Sequence, residues 1–249
     1  MIRGERPATL LRPPLAIATL AVVLALPGPA VAASAARSAV LPAELAGSSD
    51  VLTVSRRKTF LVPRRSTGGV LVFAPYSVDD YRGGWTRSRS HSSRSGGTEL
   101  LSAEGERSFT FALHGGSTQL QAECDERVAG AARGERGEPA TRLVPDHSLR
   151  CSLSGAGGAF ELSVVNGRGE LVGTNGDRFA VSPIVGVASR WETPAGTGLL
   201  LRTQGGAPVA AVDFAGKGRV VLARGLQPPG RELLAAAAAA LLLADLERW

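Results

Sequence analysis

Arg231-Glu232-Leu233-Leu234, six alanines from Ala235 to Ala240, Leu241-Leu242-Leu243, and Ala244-Asp245-Leu246-Glu247-Arg248 form the stretch that decides the fold. Its centre, Leu233–Ala244, contains only leucine and alanine, which are among the strongest helix formers. A helix over Arg231–Arg248 is therefore expected. Pro228-Pro229-Gly230 stands just ahead of it and marks its start. No side of its central run is polar, and a helix apolar all round needs cover all round. Twelve apolar residues make about 18 Å of helix, short of the ~30 Å hydrocarbon core of a bilayer. A re-entrant or surface-bound membrane helix and a partner-docking helix remain alternatives. Burial inside a curved sheet is the expected solution, because a surface helix would carry a charged face.

The sequence upstream supplies strands for such a sheet. Val51–Val54, Thr59–Val62 and Val70–Phe73 are short apolar runs. Phe109, Phe111 and Leu113 alternate with Thr110 and Ala112, and Phe160, Leu162 and Val164 alternate likewise. This is the period of a strand with one buried face. Asn166-Gly167 sits where a tight hairpin turn belongs, before Glu170–Val172. Arg178–Ser182, Ile184–Ala188, Leu199–Thr203, Pro208–Phe214 and Arg219–Ala223 follow, separated by Gly-rich turns. Ten or more short strands without helical crossovers predict a mainly β fold. The expected architecture is an antiparallel meander forming a barrel or curved sandwich around a buried hydrophobic C-terminal α-helix. Arg82–Gly97 is rich in Ser, Arg and Gly and reads as a mobile loop. Asp125–Arg150, rich in Gly, Glu, Arg and Pro, reads as a solvated excursion between the strands Ser117–Ala122 and Leu149–Leu153.

Ala211-Val212-Asp213-Phe214, then Gly218-Arg219-Val220, then the apolar helix Leu233–Leu246 resemble the end of the tubby-like C-terminal superfamily. That group includes tubby proteins, phospholipid scramblases and LURP-one-related proteins. The resemblance covers about residues 199–249 and implies an antiparallel barrel threaded by a hydrophobic C-terminal helix. It carries no site residues and no activity over to this chain. One departure is the short linker Gly225–Gly230, where tubby proteins have further strands.

The chain has 249 residues, a net charge of +6 and 44% hydrophobic residues, which suits folded domains and not a disordered chain. At its start, Arg3, Arg6 and Arg12 precede an apolar stretch from Leu15 to Leu26, then Pro27-Gly28-Pro29 and Ala30-Val31-Ala32. A basic segment, an apolar segment and an Ala-x-Ala motif make a secretory signal peptide. Residues 1–32 are expected to be removed by cleavage near Ala32, placing the protein outside the cytoplasm, periplasmic or secreted. Retention of the segment as an anchor is the alternative. Cleavage would lower the net charge to +4. Residues 33–50 read as a flexible leader and 51–249 as a single β-rich domain with its helix at 231–248.

Cys124 and Cys151 are the only cysteines. In an oxidising compartment a disulfide between them is the natural reading. A catalytic thiol or a two-cysteine metal site is the alternative, but no Cys-x-x-Cys and no histidine at ligand spacing accompanies them. No cofactor is implied.

Candidate chemistry is sparse. His91 and His147 fall in the two expected loops, where surface positions are the plain reading. His114-Gly115-Gly116-Ser117 superficially resembles an esterase oxyanion loop, but the Gly-x-Ser-x-Gly elbow it would need is absent from the sequence. A hairpin turn explains it. Asp79-Asp80 reads as a turn cap. Charge is the one surface signal: residues 55–97 hold nine basic residues against Asp79 and Asp80, a net +7. Arg56, Arg57, Lys58, Arg64 and Arg65 are the candidate binding residues of this stretch. A cationic face attracts anionic lipid, lipopolysaccharide or polysaccharide. Nucleic acid is less favoured, since aromatic residues for base stacking are few. Three functional classes follow: a non-catalytic exported β-domain binding an anionic envelope component, an exported hydrolase-type enzyme, and a structural protein-partner module.

Overall fold

The computed structural model describes residues 41–56, 71–95, 98–116, 119–135, 141–155, 157–184, 198–214 and 218–244. A one-turn helix, α1 (Ala43–Ala46), leads into β1 (Ser49–Thr53) and β2 (Ser55–Arg56). Then come β3 (Leu71–Phe73), β4 (Tyr76–Ser95), β5 (Thr98–His114), β6 (Leu120–Glu135) and β7 (Thr141–Gly155). β8 (Gly158–Val165), β9 (Arg168–Gly173), β10 (Arg178–Ile184), β11 (Gly198–Thr203), β12 (Pro208–Asp213) and β13 (Arg219–Ala223) complete the sheet. Helix α2 (Gly230–Leu243) ends the described chain.

The sheet is one antiparallel meander in which each strand from β3 to β13 pairs with its sequence neighbours. Its two ends are β1 and β2, consecutive pieces of one segment. β1 pairs with β13 over Ser49↔Ala223 to Thr53↔Arg219, and β2 pairs with β3 at Ser55↔Val72 and Arg56↔Leu71. One segment therefore reaches both edges, and the sheet curls into a nearly closed barrel. Closure removes most of the edge that an open sheet leaves exposed.

The barrel is filled by α2. Every residue from Glu232 to Leu242 is buried, and Leu234–Leu241 have no exposure at all. They pack into one core with inward side chains from around the barrel, among them Phe73, Phe109, Phe111, Leu153, Leu162, Leu171, Leu201, Val212 and Val220. Six consecutive alanines keep the helix thin enough for the sheet to close round it. The leucines at its two ends fill the wider spaces, each contributing roughly 1.5–3 kcal/mol by burial. The expected fold class is thus the observed one, with the helix starting at Gly230. Residues 245–249 lie outside the described residues.

Two expected loops are strands instead. β4 runs through Arg82–Ser95, and β6 and β7 continue through 125–135 and 141–150. β4, β5, β6 and β7 are 20, 17, 16 and 15 residues long. Beyond the end of α2 they continue as a four-stranded arm, about nine residues or ~30 Å from Arg107 to the tip at Ser95↔Thr98. A Ser-, Arg- and Gly-rich sequence forms strands here because antiparallel neighbours pair with it along the arm, with register shifts at Trp85/Arg87 and Ala129/Ala131. Asp80, at φ 50, sits in a bulge of β4 and not in a turn.

The expected flexible leader also needs correction where it is described. Residues 43–46 form α1, which packs on the outside of the barrel. Leu45 is 1% exposed and joins Ile184, Leu200, Ala211 and Val221, the outward side chains of β10–β13. Leu45 N–H and Ala46 N–H both donate to the Pro42 carbonyl, and Ser49 Oγ donates to the Leu45 carbonyl. In β11, β12 and β13 apolar side chains are buried on both faces, the inner ones in the core with α2 and the outer ones against Leu45 of α1. The expected strand Thr59–Val62 lies outside the described residues, as does most of Ile184–Ala188. The Asn166-Gly167 hairpin turn is present, with both residues at positive φ (50 and 75).

Cys124 and Cys151 are directly opposite on β6 and β7, bonded as a disulfide with Cα atoms 4.1 Å apart. The pair faces inward and is buried. Such a bond is compatible with an extracytoplasmic protein. Among the described residues no helix is long and apolar enough to cross a membrane.

Candidate functional site

The polar groups at the two ends of α2 hold the helix in place. At its start Glu232 is buried in the first turn, where a carboxylate complements the positive end of the helix dipole. Gly116, at φ +73, lies against that carboxylate, and a Cβ there would press on it. Asp50 of β1 accepts from Arg231 at 2.7 Å and from Arg224 at 3.1 Å, so its pKa falls below the usual carboxylate range. Tyr76 is buried beside them. Burial, with the Glu232 charge, raises its pKa against the opposing pull of Arg231.

At the other end, Arg107 of β5 donates from Nη2 to the Leu243 carbonyl at 2.7 Å, a cation on the negative end of the dipole. Arg107 Nε also donates to Glu126 Oε2 at 2.7 Å, and Arg107 lies 5.0 Å over the Phe109 ring. His147 Nε2 lies 2.9 Å from Glu126 Oε1. Glu126 and His147 are 2% and 3% exposed. Burial alone would raise the Glu126 pKa, but the His147 hydrogen bond and the Arg107 charge outweigh it and hold Glu126 below its ordinary value. The surface position expected for His147 is therefore wrong: the continuation of β7 turns it inward opposite Val128. Arg107 thus satisfies the Leu243 carbonyl, one of the last carbonyls for which the helix has no partner of its own.

On the outer wall Ser77, Asp79 and His114 come together. Ser77 Oγ donates to Asp79 Oδ2 at 3.1 Å, and His114 Nε2 lies 4.0 Å from the same oxygen. A nucleophilic serine needs the histidine as its base. Here the carboxylate occupies the middle position and itself accepts the serine O–H hydrogen bond. The order is that of a surface polar cluster.

The candidate basic residues fall as follows. Arg56 closes β2. Arg57, Lys58, Arg64 and Arg65 lie outside the described residues. On β4, Arg82, Arg87 and Arg89 are exposed. Register pairs Arg87 with Glu106, Arg89 with Glu104 and Arg94 with Glu99 across β5. Glu106 in turn faces Arg127 of β6. The arm thus alternates charge across its strands, which stabilises such pairs. The net +7 of residues 55–97 is offset there by the next strand. Arg82, opposite Thr110, faces no carboxylate in register.

One groove opens on the outer wall over β8–β10, with a volume of about 530 Å³. Its lining includes Ser163, Arg168, Glu170, Arg178 and Gln204, none of which stood out in the sequence. Among the described residues no group of three His, Cys, Asp or Glu side chains is placed to hold a metal. No protein-family model matches this chain, and neither the curated proteins nor the solved structures contain a match to it.

Proposed function

We propose that this is an exported, non-catalytic β-barrel domain that meets an anionic envelope component on its outer surface, after removal of residues 1–32. One observation carries the reading: α2 fills the barrel, so a ligand is met outside, where Arg82 on β4 is exposed and faces no carboxylate in register. In the sequence, Arg56, Arg57, Lys58, Arg64 and Arg65 supply further positive charge. A cationic surface of this kind attracts anionic lipid, lipopolysaccharide or acidic polysaccharide. The likeness to the tubby-like superfamily is proposed for architecture alone, supported by a sheet wrapped round a C-terminal helix.

The test is cosedimentation of residues 33–249 with vesicles of anionic lipid, with lipopolysaccharide and with neutral vesicles over rising salt. Binding to at least one anionic probe should fall steeply as salt shortens the screening length. Replacing Arg56, Arg57, Arg64 and Arg65 together by Ala should abolish it. Salt-insensitive binding, or full binding by the quadruple variant, refutes the reading.

A further inference from the structure

We propose that the groove over β8–β10 is a second binding site, separate from the basic run, for a saccharide unit bearing one carboxylate. The groove arises from register. Ser163 on β8 and Ala180 on β10 are the partners of Glu170 on β9. Two small side chains flank a long one, and the wall dips on either side of it. The neighbouring Gly169 carries no side chain. A Cβ there would collide with the Ser163 carbonyl oxygen, so the strands come close at that point. Val165, Arg168, Arg178 and Gln204 stand round the dip.

The lining offers both kinds of hydrogen-bonding group. Glu170 only accepts, Arg168 and Arg178 only donate, and Ser163 and Gln204 do both. Arg178 Nη1 bonds Glu170 Oε2 at 3.0 Å, yet their side chains are 54% and 51% exposed. Each keeps capacity for a ligand. Among the described residues Arg168 has no carboxylate partner, so the lining carries one guanidinium in excess.

A ring of hydroxyls matches this mixed set, and one carboxylate matches the surplus guanidinium in two-pronged fashion. Val165, 48% exposed, gives the apolar surface on which the C–H face of a sugar can rest. The volume lies within the roughly 300–1,000 Å³ of small-molecule sites. A neutral sugar leaves Arg168 unanswered. A bare phosphate leaves the apolar surface of Val165 uncovered and meets the charge of Glu170.

The test is an NMR titration of isotope-labelled protein with methyl glucuronide, methyl glucoside and inorganic phosphate. The glucuronide should give saturable shifts of the Ser163, Gly169, Ala180 and Gln204 amides. Glucoside and phosphate should each bind about tenfold more weakly, the size of effect expected for losing a charge-assisted contact. Arg168→Gln should reduce glucuronide affinity by about the same factor and leave glucoside binding unchanged. The quadruple variant at Arg56, Arg57, Arg64 and Arg65 should bind glucuronide like the parent, so this site and the basic face fail or hold independently. No saturable shift by ~10 mM glucuronide, a millimolar ceiling for a real site, overturns the proposal. Phosphate or glucoside binding as tightly as glucuronide, or an unaffected Arg168→Gln, overturns it as well.

Discussion

Leucine substitutions around α2 measure whether the helix is enclosed on every side. Ala235, Ala236, Ala237 and Ala238 are successive residues, each turned about 100° from the last, so together they sample the full circumference. All four have 0% exposure. Ala→Leu adds three carbon atoms and changes helix propensity little. In a filled lumen the added atoms must displace barrel side chains such as Phe111 or Leu162, at a cost of about 1–3 kcal/mol per substitution, with three carbons tending to the upper end. For a chain of this size that lowers Tm by about 5–10 °C. Thermal and urea unfolding of each single variant, followed by circular dichroism, reads the effect directly. All four substitutions should destabilise. If any one is neutral or stabilising, that face of the helix is open and the account of the core is wrong.

Glu126→Gln should flatten the acid limb of the stability curve. The folded pKa of Glu126 is lowered, so its stabilisation is present above the ordinary carboxylate range and lost as pH falls through the folded value. Urea midpoints for parent and variant should converge as pH falls through that range, and a gap independent of pH would contradict the capping role. Leu45→Ala should cost about 2–3 kcal/mol by emptying the contact with Ile184, Leu200, Ala211 and Val221. A change below ~0.5 kcal/mol in urea unfolding would show that α1 does not hold to the barrel.

The helix and the barrel wall were legible because their signals are local. A run of leucine and alanine has only one regular structure open to it, and Phe109, Phe111 and Leu113 alternate with the period of a strand. The arm was not legible. Thr86–Ser95 has no apolar alternation, and its strand is held by ladders to residues far along the chain. The same distance hid the charge pairing: Arg87 and Arg89 are matched only once register brings Glu106 and Glu104 opposite. The helix cap joins Arg107 to Leu243 across 136 residues, and Glu126 to His147 across 21. No spacing rule reaches that far. The contact of α1 left a signal that could have been read. Leu199-Leu200-Leu201 and Val209–Val212 are continuous apolar runs, which mark strands covered on both faces. One face belonged to α2, and the other required a second cover.

Pairing of β1 with β13 sets an order of events. The earliest strand finds its partner only after the latest has been made, and the helix that fills the ring comes later still. A chain still emerging from a ribosome holds β1 without β13 and a sheet with no centre. It has no stable stopping point short of completion, and closing contacts between distant segments makes folding slow. A product cut short before residue 230 lacks the helix on which the inward side chains of the barrel pack, so the architecture itself checks that synthesis was finished.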